Sequence, residues 1–341
     1  MKNILAKESV MKRVLVLFLA LCMTPWMGAV FAEDLVVYSG RSDKFVKPVV
    51  KAFTQQTGIK VKLHSAKSTA LLNKLKLEGN RTEADLFISN DAGNLQRGSE
   101  LGLFESIPAN IGKSIPANYK ATDNSWIGVS ARARVLVMNT NSDLAGKVNS
   151  VFDLAKPELK NKIAITHSSN GSFVAGVTVY MEEAGKEKTL TWMKGLAENA
   201  GRNVYNKHSK VVKAVAKGKA DVGLVNHYYI YRHLAKKPNA PIKIILPDQD
   251  GMGLAWNVAG VAISKYSSKK EAATKLVEYL ASTAGQKLFA EVNKEYPTRL
   301  DVASAKEIPS LNSLKVANVP MEKLGKLRNQ TFDLVEKSGL H

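Results

Sequence analysis

Two adjacent tyrosines, Tyr228 and Tyr229, stand just past the point where a short apolar run, Val222 to Val225, ends at Asn226 and a helical pattern continues through Leu234. Asn is a favoured helix N-cap, so the reading is a buried strand that hands over to a helix at Asn226. Successive helical residues diverge by about 100° instead of facing opposite ways, which lets both phenols line one cleft. Both also fall in the first turn, where the helix end carries roughly half a positive charge and favours anions. That field helps a phenol of reference pKa about 10 act as a phenolate, a hard oxygen donor suited to a hard trivalent metal. The competing reading is that the pair packs a helix onto a sheet, the commonest use of paired aromatics.

Anion chemistry has its own candidates. Arg41 follows Gly40 at the end of an apolar run, with Ser39 and Ser42 beside it, and Arg132 and Arg134 are spaced to share one face of an extended stretch. Arginines so placed can hold carbonate or another oxyanion by bidentate bonds, against the plainer reading of structural or surface arginines. Asp43 and Asp91 are further oxygen donors at strand ends. The Ser168 to Ser172 loop before a helix reads equally as an amide nest for an anion or as a simple cap. His227 and His233 lie about 240° apart on a helix and cannot share a zinc ion there, and no His-Glu-x-x-His occurs. His64, His167 and His208 are scattered and read as surface or loop residues. Gly251-Met252-Gly253 lacks the third glycine of a dinucleotide fingerprint, and no Gly-x-Ser-x-Gly elbow is present. A secreted enzyme using Tyr228 or Tyr229 as general acid or base lacks a carboxylate pair or nucleophile to go with them.

The elements that must position these residues are legible in outline. Leu35 to Ser39, the helical spacing of Phe45, Val49 and Phe53, the alternation over 59–63, a helix capped at Ser68 or Thr69, and the run Asp85 to Ser89 make a β-α-β-α-β opening. That order predicts parallel strands with ligands beyond their carboxyl ends. Trp126 to Asn139 is a long extended stretch, and helices are predicted to end at Ala184 and to cover 188–196, 210–217, 269–282, 284–292 and 321–337.

Several stretches together resemble the periplasmic ferric-iron-binding proteins, the iron(III) type of ABC-transporter solute-binding protein. They are Val37-Tyr38-Ser39-Gly40-Arg41-Ser42, Glu78-Gly79 with Ala84-Asp85-Leu86-Phe87, Ala131-Arg132-Ala133-Arg134-Val135 with Asn139-Thr140, Arg202-Asn203-Val204-Tyr205, Val211 to Gly218, and Asp221 to Arg232. The resemblance implies a two-lobed type II periplasmic-binding-protein fold of α/β class with the ligand cleft between lobes. It implies Tyr228 and Tyr229 as ligands of Fe3+, and a synergistic anion, carbonate above all, on Arg41, with Arg132, Ser39 and Ser42 as companions and Asp43, Asp91, Met138 and Arg134 as further candidates. Relatives carry a metal-binding tyrosine just before the Asn-Thr of the crossing strand; this chain has Met138 there, a soft and weak donor. An organic phosphate or other small anion is the alternative ligand. The expected partner is an ABC permease at the inner membrane, reached by a monomer.

At 341 residues the chain suggests two domains. Met11-Lys12-Arg13, the apolar Val14 to Cys22 and the small-residue site Val30-Phe31-Ala32 read as a cleaved signal peptide, hence a periplasmic protein. The predicted organisation is signal peptide 1–32, first lobe 33–135, second lobe 136–258, and a return to the first lobe with C-terminal helices over 259–341. Removing the signal segment, which holds four cationic residues against Glu8, takes the formal charge from +19 to +16. Export and the dispersal of the lysines argue against nucleic acid as the partner. Cys22, the only cysteine, leaves with the signal, so the mature chain is read as free of disulfides.

Overall fold

The computed structural model describes residues 34–340 apart from Ala145. The signal segment read over residues 1–32 lies outside the described residues. The first half contains β1 (Leu35–Ser39), α1 (Asp43–Thr57), β2 (Val61–Ser65), α2 (Ser68–Glu78), β3 (Leu86–Ser89), α3 (Ala92–Glu100), β4 (Phe104–Glu105) and β5 (Ile127–Asn139). As the β-α-β-α-β order predicts, β1 pairs in parallel with both β2 and β3. Helix α1 buries Val46, Val49, Val50 and Phe53, one stripe at helical spacing, and stops at Gly58, whose φ of 75° suits a residue without Cβ. The strand expected over 59–63 starts two residues later, after that cap.

The second half contains β6 (Ile163–Thr166), α4 (Gly171–Ala184), α5 (Lys186–Ala200), β7 (Val204–Tyr205), α6 (His208–Ala216), β8 (Val222–Asn226), α7 (His227–Lys236), β9 (Ile242–Ile245) and β10 (Trp256–Ser264). It ends with α8 (Lys270–Ala281), α9 (Thr283–Asn293), α10 (Lys323–Lys326) and α11 (Arg328–Ser338). The terminal helix predicted as one element is therefore two, divided at Leu327.

Strand order runs β2-β1-β3-β10-β5-β8-β6-β7, with β4 on β10 and β9 on β5. The long strand β5, buried along its whole length, joins the two halves of this order. Ile127 to Ala133 pair antiparallel with β10, and Arg134 to Met138 pair antiparallel with β8. The change of partner falls between Ala133, opposite Trp256, and Arg134, opposite Asn226. Both candidate arginines of this strand therefore flank the crossing. Beyond β10, α9 packs on α1, whereas α11 packs on α4 and α5.

Candidate functional site

Strand β8 is buried throughout and hands over to α7 at Asn226, as the sequence predicts. The expected cap bond is not made. Asn226 has the extended backbone of an N-cap, yet its side chain accepts from Arg134 Nη1 at 3.2 Å and donates to Ser172 Oγ at 3.2 Å. The side chain thus ties the crossing strand to the start of α4. Directly after it the rings of Tyr228 and Tyr229 lie 4.4 Å apart at 34°. Tyr228 is buried and Tyr229 half-buried. The expectation that the helix end makes these phenols acidic is corrected at Tyr229. Burial pushes its pKa up, and the neighbouring Tyr228 adds to the rise. In the metal-free chain Tyr229 is a neutral phenol, and a cation must supply the drive to ionise it.

The arginines have protein partners that the sequence did not announce. Arg41 Nη2 donates to Glu295 Oε1 at 2.8 Å, and Glu295 Oε2 accepts from Ser130 Oγ at 2.5 Å. Burial alone would raise the Glu295 pKa; the charges of Arg41 and Arg132 and these hydrogen bonds hold it below the usual carboxylate range. Arg132 Nη2 donates to the Asn90 carbonyl, and Arg134 packs beside Tyr180 with only the Asn226 bond. Arg41 and Arg134 each keep two buried guanidinium nitrogens without a partner and Arg132 keeps one, so donor capacity remains for an anion. Arg232, one turn along α7, sits between the rings of Tyr228 at 4.6 Å and Phe45 at 4.2 Å and donates to the Asn293 carbonyl at 2.6 Å. These contacts connect the tyrosine helix to α1 and α9.

A cleft of about 830 Å³ opens among the loops after β1, β3 and β6; neither Tyr228 nor Tyr229 is among its lining residues. One wall carries Gly40, Arg41, Ser42, Ser65 to Thr69, Asn90, Asp91 and Asn94; the other carries His167, Ser169, Asn170, Gly171 and Asn206, with Arg328 at the margin. Gly40 is obligatory here because a Cβ would meet Ser68 Oγ at 1.9 Å. Ser39 shapes this turn: its Oγ accepts from Arg41 N at 3.3 Å and donates to the Arg41 carbonyl at 3.1 Å. Ser42 is exposed at the cleft. Asp43 is turned to Lys47 at 2.7 Å and to Ser65, and Asp91 caps α3 through Asn94 N at 3.0 Å, so both carboxylates are already engaged. Asn170 caps α4 through Ser172 N at 3.0 Å, so the loop read two ways is a cap that also faces the cleft.

Two sequence readings need correction. Met138 is not at the site. It pairs with Val222 at the far end of β8, four residues from the Arg134–Asn226 position, about 13 Å along a strand. Its side chain is wholly buried in the apolar core. His208, read as a surface or loop residue, is 4% exposed, its ring centroid lies 5.0 Å from that of Tyr229, and neither ring nitrogen has a partner. Burial, with the charges of Arg134 and Arg132, drives its pKa well below the usual range. Among the described residues no group of three or more His, Cys, Asp and Glu is placed to hold a metal, so phenols are the distinctive donors.

Residues 49–315 match the family described as bacterial extracellular solute-binding protein. The chain is 33% identical over 316 residues to the major ferric iron-binding protein of Neisseria meningitidis, covering 90% of this chain and 93% of that one. It is 30% identical over 314 residues to iron uptake protein A1 of Synechocystis, covering 90% and 87%. Among solved structures it is similar to Trichodesmium FutA in complex with iron and citrate, with a TM-score of 0.83 and 32% identity over 90% of this chain and all of that one.

Proposed function

The chain belongs to the bacterial extracellular solute-binding proteins, of the ferric-iron-binding kind and two-lobed type II fold, and from that premise we propose that it captures ferric iron on Tyr228 and Tyr229 and delivers it to an ABC importer. It acts as a binding protein and not as an enzyme. The observation that carries the reading is the tyrosine pair itself: two phenol rings 4.4 Å apart at the start of α7, beside the residues where β5 changes partner. Strand and helix fix the pair from one side, and the partner-poor Arg132 and Arg134 supply positive charge for a synergistic anion. Carbonate is the proposed anion; Ser42 and the amides at the start of α4 face the same cleft. Arg41 enters this reading differently from the sequence expectation, because Glu295 already neutralises it.

The proposed lobes are 33–135 and 136–258; of the 259–341 segment expected to return to the first, α9 packs on α1 in keeping with that division, whereas α11 packs on α4 and α5 of the second, and the proposed motion is closure about the crossing strands. The protein acts in the periplasm as a monomer, and no described helix is long and apolar enough to cross a membrane. A receptor for an organic phosphate draws its support from Met138, the arginines and the basic charge; Met138 lies away from the cleft and Arg41 is paired with Glu295, which leaves it the remaining arginines and the charge, and the tyrosine pair makes iron the better reading. Calorimetry on metal-stripped protein separates the two. Tight binding of ferric iron with bicarbonate and none of a panel of phosphate esters is expected; tight ester binding without metal overturns the proposal.

A further inference from the structure

We propose that His208 is an additional donor in the site, supplying an imidazole nitrogen to the metal held by Tyr228 and Tyr229. A buried polar side chain is ordinarily hydrogen-bonded, because leaving its nitrogens dry and unpaired is costly. His208 is 4% exposed, with both Nδ1 and Nε2 unpaired. It stands at the first position of α6, two residues beyond Asn206 of the cleft wall. Its ring lies against that of Tyr229, 5.0 Å centroid to centroid and tilted by 35°. Two phenolates leave most of the coordination positions of ferric iron open. The nearby carboxylates Asp43 and Asp91 are committed to Lys47 and to the cap of α3. A neutral imidazole is a suitable iron ligand and gives up no proton on binding.

This inference rests on the phenolate reading of the tyrosines, and the test keeps the two apart. Ferric protein prepared with bicarbonate is examined by visible absorption for the phenolate band and by electron spin-echo envelope modulation for nitrogen bound to iron. Wild type should show both signals, and protein labelled with [15N]histidine should show the nitrogen coupling change isotope. His208→Ala should keep a weakened or shifted phenolate band, lose the coupling, and bind iron at least about tenfold more weakly. His208→Gln should lose the coupling in the same way. A phenolate band in wild type without histidine-nitrogen coupling overturns the role of His208 and leaves the tyrosines standing. So does coupling that persists in both variants, which would assign the nitrogen to another histidine. No phenolate band in wild type overturns both readings. The isotope experiment needs no variant to overturn the proposal, and the near-isosteric His208→Gln keeps the assignment to His208 testable should His208→Ala fail to fold.

Discussion

Arg41 and Glu295 are 254 residues apart in the chain and 2.8 Å apart in the fold, with side chains 2% and 1% exposed. The pair fastens the loop after β1 to the segment after α9, and Ser130 of β5 completes it. Removing one partner strands the other charge in a dry site, so Glu295→Ala is expected to cost about 3–5 kcal/mol in urea unfolding. Replacing both by methionine should recover most of that loss. Equal destabilisation by the single and double replacements would show that the pair is not the source.

Acid should weaken the fold in two windows. His227 is fully buried, and burial pushes its pKa down to about 4. The unfolded chain binds a proton near pH 6.5 that the folded chain refuses, so stability is present above that pH and is lost as pH falls toward 4, on the order of 3 kcal/mol in all. Glu295, held below the usual carboxylate range by Arg41 and Arg132 against the effect of burial, contributes stability above about pH 4.3 that disappears as pH drops through its folded value. Unfolding free energy measured from pH 8 to 3 should fall in both windows. His227→Asn should shrink the upper window, leaving the share of His208, whose pKa burial and the charges of Arg134 and Arg132 also drive down, and Glu295→Gln should flatten the lower; an upper window of equal size in wild type and His227→Asn would contradict the assignment to His227.

Met138→Tyr separates the sequence expectation from the structure. A lost ligand position facing the cleft would make the new phenol strengthen iron binding. The structure puts this side chain, 0% exposed, in the core at the opposite end of β8 from the tyrosines. The substitution should therefore leave iron affinity unchanged and destabilise the fold by about 1–3 kcal/mol through overpacking. A several-fold gain in iron affinity would contradict that placement.

These residues also show what the sequence could reveal. The tyrosine pair, the strand-to-helix step at Asn226 and the parallel opening followed from local periodicity and cap preference, which depend on neighbours in the chain. A cap preference at Asn226 says nothing of Arg134 and Ser172 competing for its side chain, and they win. Glu295 was invisible because it follows α9 with no motif and gains its role only from Arg41. His208 stands in the sequence as a lone histidine; its one cue there is its place just after Asn206 at a strand end, and its contact with Tyr229 is tertiary. The place of Met138 is not legible because sequence order along β5 does not tell which residue faces the end of β8 until the register is known.

Because Tyr229 is a neutral phenol in the metal-free chain, iron capture should release protons. Tyr229 becoming a phenolate predicts about one proton released per iron from this residue, once release from the iron reagent and the anion is subtracted. The same titration on Tyr229→Phe should release about one fewer. Equal release by the two proteins would mean that Tyr229 does not ionise on binding.

The central claim, that Tyr228 and Tyr229 bind ferric iron as phenolates, is tested most directly by the colour of the ferric protein. Phenolate on ferric iron gives a visible charge-transfer band, and Phe removes the donor oxygen while keeping nearly all of the packing. With ferric iron and bicarbonate, wild type and Tyr231→Phe should develop the band, each of Tyr228→Phe and Tyr229→Phe should weaken or shift it, and the double replacement should be colourless while still folded. A wild-type protein that stays colourless under saturating ferric iron, or a double mutant with an unchanged band, would contradict the account.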